Sequence, residues 1–144
     1  MTKFTIEGRE INGPEQVAEW IRHGLTREAI LYAEKFGKCL AGKQEGKQRY
    51  SALSTSQIRN VYGEVERMRM KGYDQATFLL LKPRLVYATE RNHTNGSRDF
   101  KKVFVRAIDA VLEAKDTNEQ AKRFERFADF FEAVLAYHRA YGGK

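Results

Sequence analysis

Apolar positions recur at intervals of three and four over most of this 144-residue chain. That spacing gathers one stripe of side chains on one face of a helix. The best-specified stretch is Leu53 to Val65, LSTSQIRNVYGEV. Ser54 and Gln57 make an S-x-x-Q capping box, with Leu53 and Ile58 placed as a hydrophobic staple. Ile58, Val61, Tyr62, Val65 and Met68 form the stripe; Arg59, Asn60, Gly63, Glu66, Arg67 and Lys71 face away from it, and Gly72 ends the helix in a left-handed cap.

The same reading divides the rest of the chain. Phe4, Ile6 and Ile11 alternate with polar residues but are broken at Gly8, so residues 1–11 read as an extended arm. Asn12-Gly13-Pro14 starts a helix carrying Val17, Trp20 and Ile21, which Gly24 ends in another left-handed cap. Thr26 caps a second helix, with Ile30, Leu31 and Leu40 apolar and Ala29 and Ala33 between them. Gly42 to Tyr50 has two glycines and no apolar face and reads as a mobile basic loop. Tyr73 to Asn92 is apolar nearly all round at Phe78–Leu81 and Leu85–Tyr87, which predicts a central, buried helix kinked or restarted at Pro83. After a turn at His93 to Gly96, Ser97 caps a helix with the stripe Phe100, Val103, Phe104, Ala107, Ile108 and Val111. Thr117 caps the last helix, with Phe124, Phe127, Phe131, Val134, Leu135 and His138 on one face and Phe130, Tyr137 and Tyr141 outside it. No segment alternates convincingly as a sheet. The expectation is an all-α, single-domain bundle of five to six helices over residues 1–144.

Charge changes the picture once it is located. The net charge is +7, and Gly42 to Arg106 holds 14 Lys/Arg against 6 Asp/Glu, leaving 12 against 13 elsewhere. A basic surplus confined to the middle points to a polyanionic partner, because lysines and arginines that neutralise phosphates release condensed counterions. Lys47, Arg49, Arg59, Arg67, Lys82, Arg84 and Arg91 are the candidate contacts. Arg59 and Arg67 lie about 80° apart around an ideal helix and about 12 Å apart along it, so both could follow one strand.

Other chemistry is not signalled. The chain has no phosphate-loop or dinucleotide motif, one cysteine and three scattered histidines, so neither a cofactor nor a metal is expected. His138 on an apolar stripe reads as a core or interface histidine, and Cys39 as packed. No apolar run reaches the length of a membrane span and no secretory signal is seen, which together with the lone cysteine predicts a cytoplasmic protein. The broad apolar faces of the last two helices suggest self-association.

LSTSQIRNVYGEV, LLLKPRLVYATERN and the C-terminal RFADFFEAVLAYHRAYGGK together resemble the small helical subunit of type III-A CRISPR effector complexes, the Csm small-subunit family, from about Leu53 onward. The resemblance implies a non-catalytic subunit that stacks in several copies along the guide RNA (crRNA) and its paired target RNA. Its further partners are the other subunits of the effector complex, with single-stranded DNA as another possible polyanion. It also implies contacts to phosphate and sugar at Arg59, Lys82, Arg84 and Arg91; Glu90 departs from the small residue of many relatives. The residues alone leave open a free-standing helical DNA-binding regulator that reads duplex through the Ser54 helix.

Overall fold

The computed structural model describes residues 1–43 and 49–144. Among them, strands β1 (Lys3–Ile6) and β2 (Arg9–Asn12) precede seven helical segments: α1 (Gly13–His23), α2 (Arg27–Leu40), α3 (Thr55–Lys71), α4 (Gln75–Leu79), α5 (Leu81–Arg91), α6 (Asn95–Leu112) and α7 (Thr117–Ala140). Only Leu80 separates α4 from α5, so they make one broken helix, and the described residues are mostly helical, with six helices on that count.

The residues read as an extended arm form a hairpin. β1 and β2 pair antiparallel with Phe4 opposite Ile11. The turn is Glu7-Gly8, both at positive φ (49° and 82°), as a two-residue type I′ turn requires. The glycine that breaks the alternation is thus the turn itself, and strands of four residues are too short to show a period of two. Ile6 and Ile11 are buried by this fold.

Most helix starts follow local chemistry, with shifts of a residue or a few. Thr26 accepts the Ala29 N–H at 3.3 Å, as an N-cap does. The last helix is capped one residue earlier than expected, by Asp116 accepting from Glu119 N–H at 2.8 Å. The cap of α6 is Thr94 rather than Ser97: Ser97 N–H donates to Thr94 Oγ1 at 3.0 Å while Thr94 N–H donates to Ser97 Oγ at 2.8 Å. A serine three residues along completes a capping box here, a place usually taken by Glu or Gln. Gly24 and Gly72 end their helices at positive φ but with ψ of 147° and 152°, so the chain leaves extended and not in a left-handed turn.

The packing departs from the sequence reading in two places. Tyr73 to Asn92 is not a central helix: α5 packs chiefly against α6 and α3, with Phe78, Leu81 and Leu85 buried and Leu79, Leu80 and Tyr87 exposed. Its all-round apolar character reflects a break at Leu80, after which Pro83 sits in the first turn of α5, where no N–H is needed. The second departure is Phe130, which is fully buried, 5.7 Å from the Phe104 ring and 6.3 Å from Tyr32. α7 touches α1, α2, α3 and α6, so a one-sided stripe understates what it buries.

α6 and α7 carry the core. Phe104 stacks on Phe100 at 4.3 Å and meets Phe131 at 4.8 Å and Phe127 at 6.0 Å, separations at which aromatic pairs attract beyond simple burial. α2 comes close to α7 because of Gly37: a Cβ there would lie 2.7 Å from the Val134 carbonyl oxygen. The inner face of α2 is Ala29, Tyr32, Ala33, Phe36, Cys39 and Leu40, while Ile30 points outward.

Candidate nucleic-acid interface

α3 and α5 run side by side in opposite directions. Gln57 at the start of α3 donates from Nε2 to the Asn92 carbonyl just past α5, at 2.8 Å, and Glu64 midway along α3 meets Arg84 near the start of α5, at 3.5 Å. Gln57 also accepts the Ser54 N–H at 3.1 Å, so one side chain both anchors the helix start and ties it to its neighbour.

Further bonds fix where α3 begins. Asn95 accepts from Ser51 N–H at 2.9 Å and its own N–H donates to Ser51 Oγ at 2.8 Å. Gly96 N–H donates to the Ser51 carbonyl at 2.9 Å; a Cβ on Gly96 would come within 2.4 Å of the Leu53 nitrogen, so this close approach needs a glycine. From the core side, His138 is buried and its Nε2 lies 2.7 Å from the Leu53 carbonyl, which fixes that nitrogen as the donor. Burial pushes the imidazole pKa down, the Leu53 bond opposes it, and Arg139 adds to the lowering. His138 is thus a neutral pin under the α3 N-terminus, with no polar partner on Nδ1 among the described residues.

Between the two helices lies an open groove of about 770 Å³ lined by Ser54, Ser56, Gln57, Asn60, Val61, Glu64 and Arg67 from the α3 side and Arg84, Tyr87, Ala88, Arg91 and Asn92 from the α5 side. Its charged groups are three arginines and one carboxylate. Glu64 holds Arg67, one turn on, and Arg84 across the groove, so two guanidinium groups are steadied near one acid and keep much of their surface (60% and 49% exposed). The guanidinium of Arg91 lies 5.6 Å from the centre of the Tyr87 ring, within cation–π range.

The seven candidate residues do not converge on one place. Arg67, Arg84 and Arg91 line the groove. Arg59 is exposed but its neighbour Asn60, 100° further round α3, is the one that lines it. Lys82 faces the other side of α5 and donates to Asp109 of α6 at 2.9 Å. Arg49 is exposed in the segment before α3, and Lys47 lies outside the described residues. Much of the remaining surplus is engaged inside the molecule: Arg69 meets Asp129 at 2.6 Å and Glu132 at 3.2 Å, Arg106 meets Glu113 and Glu15, and Lys101 takes Glu90. Glu90 therefore turns toward α6 while Arg91, one residue on, lines the groove.

Sequence reasoning missed Tyr87, absorbed into an apolar run, and Asn95, read as part of a turn. The signal for Tyr87 was present: Arg84, Tyr87, Ala88 and Arg91 follow the i, i+3, i+4, i+7 rule of one helix face. Among the described residues, no three His, Cys, Asp or Glu side chains are grouped to hold a metal, and no helix is long and apolar enough to cross a membrane.

The connection from Leu40 to Thr55 is far longer than the few-residue turn of a helix-turn-helix, so α2 and α3 do not make that DNA-reading unit. No curated protein matches the chain. The family model described as Csm2 Type III-A matches residues 26–144, from the Thr26 cap through α7, and leaves the hairpin and α1 outside the match. The match includes the whole α3–α5 groove and reaches well before Leu53, and by it the chain belongs to the Csm2 family, the small subunit of the type III-A CRISPR effector complex.

Proposed function

We propose that this protein is a non-catalytic, RNA-binding small subunit that works in the cytoplasm, stacked in several copies along crRNA and its target, with the α3–α5 groove as its RNA contact. The observation that carries the reading is the convergence of Arg67, Arg84 and Arg91 on one groove whose lining holds a single carboxylate, Glu64, while Arg69, Lys82, Lys101 and Arg106 are paired outside it. Exposed guanidinium groups on two rigid helices suit phosphate recognition: each offers a planar pair of donors, and the helices fix their spacing. Such contacts position a strand without reading its sequence, which suits a subunit that must accept any guide. Single-stranded DNA offers the same phosphates and would compete for them.

The test is binding of a mixed-sequence oligoribonucleotide across a salt series. Arg84→Ala with Arg91→Ala is expected to weaken binding and to flatten the dependence of log affinity on log salt by roughly 0.7 per lost phosphate contact on a single strand, with unchanged helical content. Unaltered affinity and slope would remove the groove as the RNA contact.

A further inference from the structure

Tyr87 stands outside the hydrophobic core. It is 65% exposed, the only aromatic among the exposed large hydrophobic residues of the described chain, and it stands in the groove and not at a helix end. Every other aromatic of α5 to α7 is buried or packed against the core, with Tyr141 tied to Glu34 by its hydroxyl at 2.8 Å. Its contact with Arg91 is an exposed one and contributes little to folding, and here its surroundings suit a ligand. Val61 and Ala88 are the small apolar residues of the groove, leaving room beside the ring, while Ser56, Asn60 and Asn92 supply hydrogen-bonding groups of both kinds. Arg91 lies against the ring itself, and Arg67 and Arg84 stand further along, so cations flank an aromatic surface.

We infer that the groove takes an unpaired nucleotide, its base stacked on Tyr87 and its flanking phosphates on Arg84 and Arg91. A paired base cannot offer its face to a side chain, because its neighbours in the helix already cover it. An unpaired base can, and stacking on an aromatic ring tolerates any sequence since every base has a π face. The groove is large enough for such a guest, within the range of ordinary ligand sites. This rests on the RNA-binding reading of the groove and adds to it a requirement: at least one nucleotide of the bound strand must be free of its partner.

The experiment uses the full chain with one RNA sequence in three forms: single-stranded, fully paired, and paired with one bulged nucleotide. Tyr87→Ala is expected to weaken the single-stranded and bulged forms about 5- to 30-fold and to leave the fully paired form within about twofold, the loss of one stacked base. Tyr87→Trp is expected to keep the affinity and to show indole fluorescence quenched by the single strand and the bulge but not by the perfect duplex; the native Trp20 is buried and serves as the unchanged background. Equal losses on all three forms for Tyr87→Ala, or no loss on any, would overturn the inference. The two readings separate on the arginines: if Arg84→Ala with Arg91→Ala weakens all three forms while Tyr87→Ala weakens none, stacking fails and the groove stands; if the arginine changes do nothing, the groove reading fails with it.

Discussion

The α6–α7 pair and the α3–α5 pair are built from the same helical periodicity and put it to opposite uses. α6 and α7 are enclosed: Phe100, Phe104, Phe124, Phe127, Phe130 and Phe131 are all buried, and the rings of each helix pack into those of the other. α3 and α5 each spend one stripe on the core and turn a polar, arginine-bearing face toward the other across an open groove. On the proposed reading of the groove, the difference assigns stability and binding to different helices, so they should be separable by mutation. The strongest way to break that comparison is at Phe104, a fully buried ring that meets Phe100 on its own helix and Phe127, Phe130 and Phe131 on α7. Phe104→Ala should cost about 3–5 kcal/mol, a large part of a typical domain's total, and should lower the urea midpoint accordingly. RNA affinity per folded molecule should be unchanged. A fall in that affinity, measured where the variant is still folded, would mean that the core and the groove are one cooperative unit.

The sequence made the enclosed half more legible than the open half. Long stripes such as Phe100 to Val111 state their own inward face, because burial on one side imposes a period that survives without knowledge of the partner. Phe130 escaped because α7 is buried on more than one side, which no single stripe encodes. In the groove the charged residues were visible but their sorting was not: Lys82 and Arg84 are two positions apart, about 200° round the helix, and only the placement of Asp109 and Glu64 shows that one is drawn toward α6 and the other into the groove. The hairpin was hidden for a different reason, since its strands are too short to alternate visibly. Asn95 and His138 act through backbone atoms of Ser51 and Leu53, contacts over 44 and 85 positions that leave no local pattern.

His138 is where the two halves meet, and it gives an intermediate test. Its imidazole is neutral when folded and its pKa lies below the ordinary value of about 6.5, first through burial. The unfolded chain therefore takes up a proton that the folded chain refuses as pH falls through that value. More protons on the unfolded state means stability rises with pH, so this contribution is complete above about pH 6.5 and is lost progressively below it. Urea midpoints should fall from pH 7.5 to pH 5.5, a window mostly above the carboxylate range, and His138→Gln, which keeps a donor but cannot titrate, should flatten that fall. Because Leu53 begins the α3 segment, RNA affinity should follow the same variant more closely than it follows Phe104→Ala. Identical pH dependence in the wild-type chain and the variant would show that His138 is not the group responsible.

The smallest expected effect is at Lys82. Its ion pair with Asp109 is partly exposed on both sides, 43% and 38%, so solvent screens it and its removal should cost no more than about 1 kcal/mol. It faces α6, away from the groove, so Lys82→Met should leave RNA affinity within about twofold and the salt slope unchanged, beside the clear loss expected for Arg91→Ala. The pair sharpens the comparison because both residues belong to α5, both are cationic, and they differ in the side of the helix they occupy. If Lys82→Met weakened RNA as much as Arg91→Ala, charge on α5 would matter irrespective of its direction. The polyanion would then have to run over the α5–α6 side, breaking the pair with Asp109 to do so, and the groove would lose its claim to be the interface.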